Sequence, residues 1–142
     1  MKLNRGDRLP AELAAAPRPG ARYRIFYFLR TADCPVCRNH VKRLAELAPS
    51  LAELGADVTV LAPDGEAPAW AAGLPHPVLT GEAAYLAAGF GRTLGAIQQS
   101  GTIVASGDGV ILDVRRATLP FQAFDERALL ALLQRSPRTE AA

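Results

Sequence analysis

Cysteine is scarce in this chain: there are two, Cys34 and Cys37, and that scarcity removes most thiolate-rich architectures at once. An iron–sulfur cluster needs more thiolates than the pair can supply. Haem attachment through C-x-x-C-H fails because Arg38 follows Cys37. Charge of one sign is scarce as well. Lys and Arg number 16 against 14 Asp and Glu, a net charge of +2, and the two signs are interspersed, so the electrostatic footprint of a nucleic-acid binder is missing. Long apolar runs are absent too. Arg5, Asp7, Arg8, Glu12 and Arg18 interrupt the first twenty residues before any signal-peptide core can form. No later stretch approaches the ~20 apolar residues that cross a bilayer. The expectation is a cytoplasmic chain with neither a nucleic-acid nor a membrane partner. In that compartment a structural disulfide is disfavoured and a cysteine pair is catalytic or metal-binding.

What the sequence does contain is ordinary globular material, 49% hydrophobic and 21% charged over 142 residues. That length suits one domain able to bury roughly two thirds of the surface its unfolded chain exposes, without a disulfide or metal staple. The domain is expected over residues 1–134, with a flexible tail over 135–142. From Arg22 to Arg30 the run RYRIFYFLR is apolar without alternation at its centre, the mark of a strand covered on both faces. A short loop brings the chain to Cys34, after which Val41, Leu44, Ala48 and Leu51 recur at helical spacing up to Gly55, a suitable terminator. Pro49 falls inside that pattern and predicts a kink or break. Asp57 to Leu61 reads as a second strand, parallel to the first through a right-handed crossover.

Short helices are expected at Glu66–Ala72 and Glu82–Phe90, flanking an extended His76–Leu79. Thr102–Ala105 and Val110–Val114 then flank Ser106-Gly107-Asp108-Gly109 as a hairpin whose turn needs positive φ angles. A last helix spans Asp125–Gln134, with Asp125 as N-cap and Leu129, Leu130, Leu132 and Leu133 as its apolar side. The order predicts an α/β sandwich: a mixed sheet with a parallel centre and a C-terminal hairpin, with helices on both faces.

Cys34 thus falls at the junction of a buried strand and a helix. Unpaired N–H groups and the partial positive charge of a first helical turn favour thiolate there, and Pro35 suits that turn because its missing N–H has no partner to lose. Arg38 lies one turn on, with Lys42 and Arg43 beyond it, while Asp33 opposes them. The expected result is a depressed pKa for Cys34, which attacks, with Cys37 deeper in the helix as the resolving thiol. Two other readings stand beside this one. The cysteines can be small buried hydrophobes, or they can join His40 and His76 in a four-ligand metal site. The strand–helix position favours redox chemistry with no cofactor and no metal. His40 reads as a solvated helix residue and Trp70 as a packing residue.

These residues resemble the peroxiredoxin (alkyl hydroperoxide reductase/thiol-specific antioxidant) family of the thioredoxin superfamily. Gly6-Asp7-Arg8-Leu9-Pro10 looks like the opening G-D-x-x-P, and Thr31-Ala32-Asp33-Cys34 matches T-x-x-C. Pro77–Thr80, Ala87–Phe90, Thr102–Val104 and Gly109–Ile111 follow the order of the family's later strands. The resemblance implies a thioredoxin-like three-layer sandwich and an antioxidant thiol oxidoreductase. In it Cys34 is peroxidatic and the Thr31 hydroxyl engages peroxide; joined to the reading of the cysteine pair above, in which Arg38 assists, the expectation is an enzyme that cycles between a dithiol and a Cys34–Cys37 disulfide. It also implies a small peroxide or protein disulfide as oxidant, thioredoxin, glutathione or a thiol reductase as reductant, and a homodimer. Alternatives within the fold are a thioredoxin-like disulfide reductase and a non-catalytic adaptor or metal-binding module. The sequence departs from the pattern at Tyr27, where the family has proline, and at Gln99 and Ser100, where it has a peroxide-binding arginine. It departs from plain thioredoxins at Gly101, about where they carry a cis-proline, and at Asp33, where they carry tryptophan.

The arginine matters because acidity alone does not make a fast peroxidase. Lowering a thiol pKa from about 8.5 to about 6 raises thiolate at neutral pH roughly thirtyfold. With a nucleophilicity slope of ~0.4–0.5, the same change lowers intrinsic reactivity roughly 10- to 20-fold. The rest of the rate must come from donors that stabilise charge on the departing oxygen. Thr31 is one such donor, and Arg92, Arg115 and Arg116 are the candidates for the second.

Overall fold

The computed structural model describes residues 2–14, 21–93 and 97–135. In chain order its elements are α1 (Ala11–Ala14), β1 (Tyr23–Phe28), α2 (Pro35–Glu46), α3 (Ala48–Glu53), β2 (Ala56–Ala62), β3 (Val78–Thr80), α4 (Ala83–Ala88), β4 (Arg92–Thr93), β5 (Ile97–Gln98), β6 (Ser100–Ser106), β7 (Ile111–Ala117) and α5 (Glu126–Arg135). Single 3₁₀ turns lie at Ala69–Ala71 and Pro120–Gln122. Five strands form one sheet in the order β3-β2-β1-β6-β7. β1 pairs parallel with β2, and β2 with β3, while β6 runs antiparallel to both β1 and β7. The central strand is therefore parallel to one neighbour and antiparallel to the other.

β1 lacks alternation because both of its faces are covered. Ile25, Tyr27 and Leu29 point into a cluster shared with Val41 and Leu44 of α2, Leu51 of α3, and Leu129 and Leu133 of α5. Phe26 and Phe28 point the other way, into a cluster with Leu13 of α1 and Ala84, Tyr85 and Ala88 of α4. Each large side chain taken out of water here contributes about 1.5–3 kcal/mol. Helices on both faces of a mixed sheet make the three-layer sandwich expected from the sequence.

Pro49 breaks the first helix as the pattern predicts. α2 stops at Glu46, Leu47 caps both helices, and Pro49 lies in the first turn of α3, where a missing N–H costs little. Gly55, at φ 78°, ends α3. The helix expected over Glu66–Ala72 shrinks to the turn Ala69–Ala71, because Pro68 pushes the residue before it out of helical conformation. α4 is shorter than Glu82–Phe90, since Gly89 terminates it in the left-handed region at φ 77°. The extended segment before it becomes a true strand, with Val78 to Thr80 in register with Val60 to Ala62.

The hairpin is longer than its apolar cores suggest, with β6 beginning at Ser100, β7 reaching Ala117, and a register shift at Val104/Ala105. Of its two turn glycines only Gly109 has a positive φ. Gly107 is required for room: a Cβ there would stand 2.1 Å from the Ala21 carbonyl oxygen. Asp125 caps α5 as expected, its Oδ1 accepting the Ala128 N–H at 3.0 Å. The sequence pattern did not reveal α1 or the two-residue ladder of β4 with β5. The expected tail lies outside the described residues apart from Arg135, which ends α5.

Candidate active site

β1 ends at Phe28, and the segment from Leu29 to Asp33 carries the chain from the end of this central strand to the start of α2. Cys34 is the N-cap of that helix, in extended conformation, and its Sγ accepts the Cys37 N–H at 3.2 Å. The sulfur does what an Asp or Ser oxygen does at other helix starts, satisfying one of the unpaired donors of the first turn. Cys37 lies one turn along, on the same side. Its Sγ accepts the Arg30 N–H at 3.4 Å. Both cysteines are free thiols, 2% and 0% exposed, at the top of the cluster between the sheet and α2. Burial and the neighbouring Cys34 sulfur push the Cys37 thiol up to about 12.

One peptide unit ties this site to the opposite face of the sheet. The Leu29 carbonyl accepts a hydrogen bond from the Tyr85 hydroxyl at 2.6 Å, while the N–H of the same Leu29–Arg30 peptide donates to Cys37. Tyr85 also reaches the Leu61 carbonyl at 2.7 Å and so clasps the ends of β1 and β2 together. On the cysteine side, the Tyr27 hydroxyl lies 2.6 Å from Nδ1 of His40, and Phe124 packs against both rings. Burial pushes both tyrosine hydroxyls well above their ordinary range, so each stays protonated. His40, half-buried rather than solvated, is pushed below its ordinary range by burial. Trp70 does more than pack: its Nε1–H donates to the Ala32 carbonyl at 2.9 Å and fixes the loop two residues before Cys34.

The basic residues named from the sequence separate. Arg38 is exposed and stacks over the Trp70 ring at 5.7 Å. Arg43 forks onto Glu126 of α5 at 2.6 and 2.8 Å, so its charge is paired away from the cysteines. Arg116 donates to the Leu3 and Ala88 carbonyls and lies over Phe90, on the other side of the sheet from the cysteines. Arg115 faces Asp125 at 3.8 Å. Arg92 is different, because it lines a cleft of about 400 Å³ together with Thr31, Arg30, Asp64, Glu82 and Gln98. Arg30 has no motif to mark it in the sequence, yet it contributes both to this cleft and to the bond on Cys37. Ser100, at the family's arginine position, is fully buried. The histidines do not join the cysteines: His40 is bonded to Tyr27, and Nε2 of His76 lies 3.1 Å from the Leu44 carbonyl. No group of three or more His, Cys, Asp or Glu among the described residues could hold a metal ion. Nor, among them, is any helix long and apolar enough to cross a membrane.

A thiol pair at the start of a helix, fed by the central strand of this mixed sheet, is an arrangement compatible with thiol oxidoreductase chemistry on a thioredoxin-like fold. The profile of the AhpC/TSA family matches residues 1–113, and the chain belongs to that family. Its activity is that of a thiol-dependent, peroxiredoxin-like antioxidant enzyme. The fold is shared with solved structures of low identity. Peroxidoxin BcpB from Mycobacterium tuberculosis aligns with a TM-score of 0.76 at 19% identity, covering 96% of this chain and 99% of that one. Mycobacterium tuberculosis AhpC gives 0.72 at 17%, covering 94% and 93%. Xanthomonas campestris peroxiredoxin Q gives 0.69 at 18%, covering 93% and 99%. No curated protein matches the chain by sequence.

Proposed function

We propose that Cys34 is the sulfur that attacks the oxidant and that Cys37 resolves the product, both within one chain. The observation that carries this reading is the Cys34 sulfur capping α2 through the Cys37 N–H. A sulfur held there faces the positive end of the helix, where negative charge is favoured. Its thiolate takes one oxygen from a hydroperoxide. The S–O bond forms as O–O breaks, the leaving oxygen departs protonated as alcohol or water, and Cys34 becomes a sulfenic acid. Cys37 then attacks that sulfur, releasing water and leaving the disulfide. Positions three apart on a helix stand about 5–6 Å apart at Cβ, against the ~3.5–4.5 Å of a disulfide. Closure therefore asks for a small movement, and Cys34, lying outside the helix as its cap, can supply it.

The Thr31 hydroxyl and the Arg92 guanidinium, which share the cleft beside this turn, serve as donors to the peroxide oxygens, with Arg30 adding positive charge. Arg38 acts from the rim, through its stack on Trp70. Thioredoxin, glutathione or another thiol reductant returns the disulfide to the dithiol in the cytoplasm. The absence of arginine at positions 99 and 100 favours a second use of the pair, in which a protein disulfide replaces peroxide as oxidant. Self-association as a homodimer would draw on the apolar surface of Leu119 and Phe121, which are 48% and 61% exposed.

The test is mass spectrometry after one equivalent of hydrogen peroxide. Wild type should lose both free thiols, Cys34→Ser should react with nothing, and Cys37→Ser should accumulate a single sulfenic acid or mixed disulfide at Cys34. Both thiols remaining alkylatable at unchanged rates in wild type would end the peroxide reading. A faster reaction with a small disulfide than with peroxide would select the second.

A further inference from the structure

The cleft that holds Thr31 and Arg92 is larger than a peroxide requires. Its volume is about 400 Å³, whereas one water molecule's share of the liquid is about 30 Å³, so hydrogen peroxide fills a small part of it. Pockets of ~300–1,000 Å³ take small organic molecules. A long alkyl hydroperoxide asks for an apolar lining, but this lining is charged in both signs, with Arg30 and Arg92 set against Asp64 and Glu82.

These four charges share a cleft without neutralising one another. Among the described residues none of the four forms an ion pair within 4.0 Å. Nε of Arg30 is buried with no hydrogen-bond partner. The backbone beneath them is pinned. The Gly81 N–H donates to the Asp64 carbonyl at 2.9 Å, which sets Asp64 beside the turn that carries Glu82. Gln98 pairs with Arg92 across the β4–β5 ladder, and its side-chain amide donates to the carbonyls of Phe90 and Gly91 at 2.8 and 3.2 Å. Opposite charges held apart in this way suit a ligand with one group of each sign, a carboxylate for the guanidinium forks and an ammonium for the carboxylates. A plain anion would meet Asp64 and Glu82, and a plain cation would meet both arginines.

The residues of the cleft also border both sulfurs. The Arg30 N–H donates to Sγ of Cys37 at 3.4 Å, and the Thr31 carbonyl accepts the Cys34 N–H at 3.3 Å. Resting on the disulfide cycle proposed above, we infer that the cleft seats a small thiol bearing both an α-ammonium and a carboxylate, and that this thiol is the reductant. Its thiolate attacks Sγ of Cys34. The new S–S bond forms as the Cys34–Cys37 bond breaks, and the electron pair goes to Cys37, where the Arg30 N–H already points and a proton from solvent completes the thiol. A second molecule of the small thiol attacks the ligand sulfur and releases Cys34 as thiolate. Two thiols are thereby oxidised to one small disulfide, their protons pass to solvent, and the protein disulfide is reduced to the dithiol.

The test uses protein oxidised with diamide, so that no peroxide is needed, and follows recovery of the dithiol by alkylation and mass spectrometry. Free cysteine and glutathione carry both charges, cysteamine lacks the carboxylate, and N-acetylcysteine lacks the ammonium. At equal thiolate concentration the faster of the first two should exceed both truncated thiols at least about tenfold, the low end for hydrogen bonds to charged groups. Which of the two leads separates a free amino acid from a γ-glutamyl peptide. Asp64→Asn combined with Glu82→Gln should erase the advantage over N-acetylcysteine and leave reduction by uncharged dithiothreitol unchanged, which a folding defect would not do. A best thiol within about twofold of either truncated form, or an advantage over N-acetylcysteine that survives the double variant, overturns the inference. Ready disulfide formation with such charge-blind reduction removes the ligand and leaves the cycle. If diamide forms no Cys34–Cys37 disulfide, the cycle fails and binding decides the site: S-methylcysteine, which cannot exchange, should shift the NMR amide signals of Thr31, Asp64 and Glu82 in wild type and not in the double variant. Absence of those shifts overturns the site as well.

Discussion

Replacing Tyr85 with phenylalanine isolates the peptide unit that links the two faces of the sheet. The ring of Tyr85 is 1% exposed and meets Phe28 edge-on at 5.0 Å, a contact phenylalanine retains, so the substitution removes one oxygen and little packing. What it does remove is a donor shared by two carbonyls. The Leu61 carbonyl keeps a partner in the Leu29 N–H at 2.9 Å, whereas the Leu29 carbonyl loses the Tyr85 hydroxyl. A net hydrogen bond contributes about 0.5–1.5 kcal/mol, and stranding a buried acceptor costs about 1–3 kcal/mol, so the expected loss of stability is about 1–3 kcal/mol. Urea unfolding followed by circular dichroism should show a lower midpoint with an unchanged slope. Thermal unfolding should shift by roughly 3–5 °C for each kcal/mol lost.

The same peptide unit holds the Cys37 sulfur through the Arg30 N–H, so the effect should reach the site. In a Cys34→Ser background, alkylation of Cys37 should be several-fold faster in Tyr85→Phe. A stability change below about 0.3 kcal/mol would refute the energetic argument. A clear destabilisation with alkylation unaltered would refute the coupling across the sheet.

Other perturbations have equally definite outcomes. Gly101→Ala should destabilise by about 3 kcal/mol or more, because the new methyl would stand 1.9 Å from the Arg115 carbonyl oxygen and 2.9 Å from the Phe90 ring; a thermal midpoint within error of wild type would contradict this. The raised Cys37 pKa predicts a pH dependence: the folded state keeps this proton while the unfolded thiol releases it, so stability is full below about 8.5 and falls as pH rises toward the folded value. Reduced wild type should therefore lose about 1–2 kcal/mol more than Cys37→Ala between pH 8 and pH 10, measured by urea midpoints. His40 has the opposite sign, its stabilising effect present above its ordinary pKa and lost on acidification below it. Arg92→Leu should raise the KM for hydrogen peroxide with the dithiobis-nitrobenzoate reaction unaffected, whereas equal effects on both would mean that Arg92 does not meet the peroxide.

The sequence disclosed those parts of the fold whose cause is local. The apolar run from Ile25 to Leu29 announces a strand covered twice, Pro49 announces a break, Gly55 a helix end and Asp125 a cap, and each needs only its neighbours to act. The T-x-x-C-x-x-C segment likewise marks the candidate site by itself. What stayed hidden depends on residues far apart in the chain. β3 is a strand because Val60 to Ala62 lie beside Val78 to Thr80, not because three residues among prolines prefer that state. Tyr27 and His40 are 13 positions apart on different elements, and neither residue type foretells the other. Arg92 gained its place by lining a cleft with Thr31, and Arg116 lost its candidacy by donating to Leu3 and Ala88, facts that only the assembled sheet fixes.

Trp70 is the only tryptophan in the chain, and its indole N–H is held by the carbonyl of Ala32. Any rearrangement that carries Cys34 toward Cys37 pulls on that loop and changes the polarity around the one strong fluorophore present. The protein thereby carries a built-in optical gauge of its oxidation state. Stopped-flow emission alone, with no label attached, should resolve the successive steps of turnover in real time.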